Sequence, residues 1–219
     1  MRELKVKVKT AKGRKISSTR WLARQLNDPY VKEAKQKGYR SRSAFKLIEI
    51  DKKFDVFKTG QRILDLGCSP GGWCQVASEK VNSNSSNVLV HGIDIKECDP
   101  MPGVNLYMVD FLDEESYKNF LGSIQGKFDV ILSDMAPNAM GHKQTDNLKI
   151  MALVEAAIYF SLENLVIGGT FVAKVLDAGV GSEMQNLLKK KFKKVVNFKP
   201  DSSRSSSSEK YLVAKSLKV

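Results

Sequence analysis

An α/β fold, with a mostly parallel seven-stranded sheet, helices on both faces and a last antiparallel strand, is what three features of this 219-residue sequence predict. From residue 62 onward, short apolar runs of strand length alternate with stretches of helical spacing, the order that builds a parallel sheet with crossover helices. Residues 62–73 (RILDLGCSPGGW) read as a buried strand, a glycine- and proline-rich turn and the start of a helix. Two of the apolar runs end in acids, Asp65 and Asp94, and open α/β sheets bind ligands outside the carboxyl ends of their strands.

Residues 1–16 form a basic arm, expected to be mobile, ahead of a single domain over 17–219. Ser18 and Thr19 are placed to cap a helix over 18–27, with Trp21, Leu22, Leu26 and Val31 as apolar anchors, and a second helix covers 28–38. Ser43 is the expected cap of a third, whose Ala44, Leu47 and Ile50 face inward. Residues 17–58 are thus a basic helical front part and 59–219 the α/β core. Strands are expected at 62–66, 88–93, 104–109, 128–133, 169–175, 193–198 and 209–216, and helices near 71–80, 113–123, 148–164 and 181–191. The last two strands have no helix between them and should pair antiparallel. Residues 82–87 (NSNSSN) read as a surface turn. Residues 202–208 (SSRSSSS), beside the basic run 189–194, form a loop able to touch phosphates or solvent.

The charge is unevenly spread. The chain carries 36 Lys+Arg against 24 Asp+Glu, +12 in all; residues 1–46 hold 15 and 3 of these, so they account for the whole excess. A neutral body with a basic front end points to a polyanionic partner, because Lys and Arg gain affinity by displacing counterions from a phosphate backbone. No run approaches the 18 or so apolar residues of a membrane span, so no membrane partner is expected. Three cysteines (Cys68, Cys74, Cys98) cannot complete a disulfide framework and read as small buried hydrophobes, and His91 and His142 supply no zinc spacing; no metal is expected.

The spelling of the 67–72 turn narrows its ligand. Ser69 stands where a dinucleotide fingerprint needs its second glycine, and Trp73 follows where a phosphate-cradling loop needs Lys and Ser or Thr. The turn suits a nucleoside without a pyrophosphate, a description S-adenosylmethionine fits, and the substitution opposes a nucleotide-dependent reductase. Further along, Asp134 lies just past a buried strand, Lys174 sits in an apolar one, and Glu209 heads the last. A lysine in an apolar strand is the kind that can act as a base. Lys46, between Phe45 and Leu47, reads more commonly as a surface lysine laying its stem along apolar neighbours. Spacing alone does not bring these four together.

From about Ser18 to Lys215 the chain resembles the FtsJ-type RNA ribose 2'-O-methyltransferases, and especially the members that act on a uridine of large-subunit ribosomal RNA. The resemblance is carried by residues 18–22 (STRWL), 38–47 (GYRSRSAFKL), 65–73 (DLGCSPGGW), 133–138 (SDMAPN), Lys174-Val175 and 199–204 (KPDSSR). It implies a Rossmann-like methyltransferase fold, S-adenosylmethionine as cofactor, and a catalytic tetrad on Lys46, Asp134, Lys174 and Glu209, with Lys174 as proton acceptor. It implies cofactor contacts on Asp65, Gly67, Pro70, Gly71, Gly72, Trp73, Asp94, Asp110 and Asp134, Asp94 holding the ribose hydroxyls and Asp110 the adenine amine. Arg20, Arg40, Arg42 and Arg204 are the implied RNA contacts. The loop before Glu209 has fewer arginines than family members often carry, and Leu176 stands where an aromatic is common. The expected partner is large-subunit ribosomal RNA or the large ribosomal subunit, met by a monomer. Transfer RNA, an mRNA cap, or RNA binding in ribosome assembly without catalysis are the alternatives. The basic N-terminus is compatible with a mitochondrial transit peptide, but 5–9 (KVKVK) alternates as a strand does, so a bacterial cytoplasm is expected instead.

Overall fold

The computed structural model describes residues 6–137, 143–176 and 179–219. Asn138 and His142 lie outside them. Three helices come first: α1 (Ile16–Leu26), α2 (Pro29–Lys37) and α3 (Ser43–Phe54). The alternating part follows as β1 (Ile63–Leu66), α4 (Gly72–Val81), β2 (Val90–Asp94), β3 (Val104–Met108), α5 (Glu114–Ser123), β4 (Phe128–Ser133), α6 (Lys143–Asn164), β5 (Leu165–Val175), α7 (Ser182–Lys191), β6 (Phe192–Phe198) and β7 (Lys210–Leu217). The seven strands lie in the order β3-β2-β1-β4-β5-β7-β6. Strands β1 to β5 are parallel, and β7 runs antiparallel to both β5 and β6. The predicted fold class is the observed one.

The period of two along each strand divides the core. Leu64, Leu66, Ile131, Phe171 and Ala173 face one side, where they pack with Phe120, Ala157, Ile158 and Leu188 of α5, α6 and α7. Ile63, Val130, Leu132, Val172 and Val213 face the other, against Ala44, Leu47 and Ile50 of α3 and Val76 and Ala77 of α4. This parity decides which polar side chains meet. Asp65 and Lys174 have the parity of Ile63 and Val172, so both turn toward α3 and α4.

Several local expectations are corrected. Helix α1 starts a turn earlier than the caps suggested: its N-cap is Lys15, and Thr19 Oγ1 donates back to the Lys15 carbonyl at 3.3 Å from inside the helix. None of its residues is buried; Trp21 and Leu26 stay half exposed and are not anchors. Ser43 is the first residue of α3, not its cap, and its hydroxyl meets Ser41 Oγ at 2.6 Å. At the other end of α1, the Asn27 side chain brackets Val6, accepting from its N–H (2.8 Å) and donating to its carbonyl (3.0 Å), so the basic segment is pinned at that residue. Strand β5 begins four residues before its predicted start, because the register shift between Phe128 and Val130 accommodates Gly168 and Gly169 and lets Leu165 pair with Phe128. Among the described residues no helix is long and apolar enough to cross a membrane.

Candidate active site

Chain order reverses between β1 and β4, and the crevice beyond their carboxyl ends is a cavity of about 380 Å³. Gly67 makes the crevice possible: its φ is +75°, and a Cβ there would sit 2.6 Å from Met135 Cγ and 2.9 Å from Met135 Cα. The loops after β1 and β4 can therefore touch. Gly67, Asp94, Asp110 and Asp134 all line the cavity, with Ile95, Val109, Phe111 and Leu112 forming an apolar slot at the Asp110 end. The Asp94 carboxylate closes its own turn, accepting from Ser69 N at 2.9 Å and from Lys96 N at 2.8 Å. Each oxygen keeps a lone pair for a ligand.

The rest of the turn is placed differently from the sequence expectation. Asp65 does not reach the cavity; it is fully buried beneath α4, where Cys74 Sγ donates to Oδ2 at 3.3 Å and Oδ1 has no partner among the described residues. Burial pushes its carboxyl up to about 8, against the opposing effect of the Cys74 hydrogen bond. Pro70 offers its carbonyl to Arg40, and Gly71 and Gly72 make room for the Arg40 guanidinium and the Ser41 hydroxyl. The Trp73 indole is buried and donates to the Ser43 carbonyl at 2.9 Å. None of these four residues lines the cavity. What the turn offers a ligand is backbone: Gly71 is the N-cap of α4 and the first turn has no side-chain cap.

Four charged residues, far apart in sequence, converge around Asp134, the one of them that lines the cavity. The parallel register Ser133↔Ala173 places Asp134 beside Lys174, and the antiparallel register places Tyr211 directly opposite Lys174. Lys174 Nζ donates to the Asp134 carbonyl at 2.6 Å and to Asp134 Oδ1 at 3.0 Å. Lys46 Nζ lies 2.6 Å from Glu209 Oε1 and 3.2 Å from Tyr211 Oη, with its side chain 12% exposed, so it is an interior lysine and not a surface one. Tyr211 Oη donates in turn to Asp134 Oδ1 at 3.0 Å. The phenol thus joins the Lys46–Glu209 pair to the Lys174–Asp134 pair. The sequence reading missed it, although a tyrosine two residues beyond Glu209, in an otherwise apolar strand, was the available signal. Burial raises the Asp134 carboxyl, but Lys174 and Lys46, with the hydrogen bonds from Lys174 and Tyr211, outweigh it and hold the group below its ordinary range. Burial, with Asp134 and Glu209 nearby, pushes the Tyr211 phenol well up.

The chain from residue 39 to 217 matches the model of the FtsJ-like methyltransferases. The chain belongs to that family. Relatives agree over nearly its whole length: the ribosomal RNA large subunit methyltransferase E of Roseobacter denitrificans is 53% identical over 97% of this chain and 91% of its own. The protein of the same name from Ruegeria pomeroyi is 55% identical over 97% and 94%. A solved structure from Plasmodium falciparum, assigned as a ribosomal RNA methyltransferase, superposes with a TM-score of 0.67 at 36% identity, covering 82% of this chain and 98% of that one. The methyltransferase uses S-adenosylmethionine, and the site fits it. The cavity combines an apolar slot for a purine with the Asp94 carboxylate, whose lone pairs are free for ribose hydroxyls, and the uncapped start of α4 follows directly on the same glycine turn.

The arginines expected to hold RNA divide. Arg20 is exposed on α1. Arg40 is committed to the protein, its guanidinium donating to the carbonyls of Asp99 (2.5 Å) and Pro100 (2.8 Å), so it clamps the glycine turn to the loop after β2. Arg42 pairs with Asp28 at 3.0 Å and donates to the Ser202 carbonyl, and Arg204 grips the same Asp28 oxygen at 3.1 and 3.2 Å. Arg42 is therefore structural: its 15% exposed side chain ties α3 to the loop before β7.

Proposed function

We propose that this methyltransferase places a methyl group on the ribose 2'-hydroxyl of a uridine in large-subunit ribosomal RNA, acting on the assembled or assembling large subunit. Ribosomal RNA as substrate class is supported by the relatives' shared name across nearly the full chain. The finer reading rests on one observation: Asp134 is at once a wall of the cofactor cavity and the partner of Lys174. A hydroxyl brought to Lys174 from the open side therefore lies next to the methyl donor.

Bound S-adenosylmethionine supplies a methyl group on an already electrophilic sulfonium. The protein's part is to align the hydroxyl and remove its proton. A neutral lysine amine has two N–H bonds and one lone pair. Once Lys174 has given up one proton, its two remaining N–H bonds still donate to the Asp134 carbonyl and carboxylate, and the lone pair is left to accept the 2'-hydroxyl proton. Lys46, held by Glu209 and Tyr211, keeps one N–H direction free to donate to the ribose. Substituting Lys174→Ala should lower methyl transfer about 10²–10⁴-fold, the usual worth of a positioned base, while calorimetry finds cofactor affinity retained. Loss of both together would mark Lys174 as structural and end this assignment.

A further inference from the structure

A groove of about 640 Å³ runs between the end of α1, the start of α2 and the loop 202–208. Arg24, Arg42 and Arg204 line it against one carboxylate, that of Asp28, so its walls carry net positive charge. Two of the three guanidinium groups have capacity to spare. Arg24 has no partner among the described residues, and Arg204 spends Nε and Nη2 on Asp28 but not Nη1. Ser205 and Ser206, also on the wall, are exposed and can donate their hydroxyls.

The groove is joined to the reacting centre. Ser203, another of its lining residues, donates its hydroxyl to Glu209 Oε1 at 3.2 Å, the oxygen that lies 2.6 Å from Lys46 Nζ. Resting on the ribose-methylation reading above, we propose that this groove seats the single-stranded RNA flanking the methylated nucleotide, with a neighbouring phosphate held by Arg24, the free edge of Arg204 and the Ser205 and Ser206 hydroxyls. Its size falls in the range of sites for one or two small-molecule units, roughly 300–1,000 Å³, which suits a short strand and not a duplex. The contacts are to backbone and carry no sequence information, so the groove fixes strand direction and register. Asp28 keeps Arg42 and Arg204 in place before RNA arrives.

The test is Arg24→Glu in the full chain, titrated with a single-stranded RNA oligonucleotide over a salt series, alongside steady-state methylation of large-subunit RNA. Arg24 is exposed, so the fold should persist, and an unchanged melting temperature with retained S-adenosylmethionine binding verifies it. The groove predicts oligonucleotide affinity lowered about tenfold, a salt slope smaller by about one, and a methylation defect mainly in KM. Affinity and slope equal to wild type would overturn it. So would a loss confined to intact subunits with isolated RNA bound normally, since the groove would then hold a protein segment. Failure of the substrate reading looks different: the wild-type protein would transfer no methyl group to large-subunit RNA while Arg24→Glu still weakened oligonucleotide binding.

Discussion

At the scale of single residues, the site depends on groups that satisfy one another. Tyr211 Oη accepts from Lys46 and donates to Asp134, and its ring packs 5.5 Å from that of Trp73. Tyr211→Phe keeps the packing and removes the bridge. Chemical denaturation should show a loss of about 1 kcal/mol, and methyl transfer should fall because Lys46 and Asp134 lose a shared partner; unchanged turnover would show the phenol to be structural only. Asp65 makes a separate prediction. The folded protein holds its proton up to about pH 8, whereas an ordinary carboxyl releases it near 3.8. Its contribution to stability is therefore full at low pH and is lost as pH rises from about 4 to about 8. Asp65→Asn should flatten that decline, raising the melting temperature at pH 8 more than at pH 5; parallel melting curves at both values would refute it. The sequence reading put Asp65 on the cavity because a strand-end acid commonly points there. Parity within the strand, which turns it under α4, becomes visible only once α4 is known to cover that face.

Elements bring these residues together, and their connections explain what sequence could not supply. The strands and helices of the core were legible from apolar runs and turns, and the antiparallel last pair from the missing helix between them. The insertion of β7 between β5 and β6 was not, yet it alone sets Tyr211 opposite Lys174. The N-terminal helices were legible as elements too, but not their docking, because α1 has apolar residues at helical spacing and still buries none of them. Alongside the apolar packing of α3, a polar hub ties this region together. Asp28 caps α2 through Tyr30 N at 3.1 Å and holds both Arg42 and Arg204. Asp28→Ala leaves the largely buried Arg42 charge uncompensated and should destabilise the protein by about 3 kcal/mol, read from urea unfolding. A change within error would mean that the apolar face of α3 suffices to dock this region.

Across the whole molecule, the +12 charge resides in residues 1–46, whereas the α/β body sums to zero. The structure makes that asymmetry more specific, since Arg40 and Arg42 are spent on internal contacts whereas Arg20 and Arg24 are exposed on α1. Residues 1–15 contain seven Lys and Arg and one acid. Deleting them should weaken RNA binding most at low salt and flatten its salt dependence, while the affinity for S-adenosylmethionine persists; a salt slope equal to wild type would remove the arm from the RNA footprint.

The proposed chemistry is ribose methylation by a site in which Asp134 serves both cofactor and base. It is tested most directly with large subunits from cells lacking this protein, methyl-labelled S-adenosylmethionine and alkaline hydrolysis of the extracted RNA. Because a 2'-O-methyl group blocks cleavage of the adjacent phosphodiester, the account predicts label in alkali-resistant dinucleotides with the wild-type protein and none with Lys174→Ala. Label released in mononucleotides would mean methylation of a base and would contradict it.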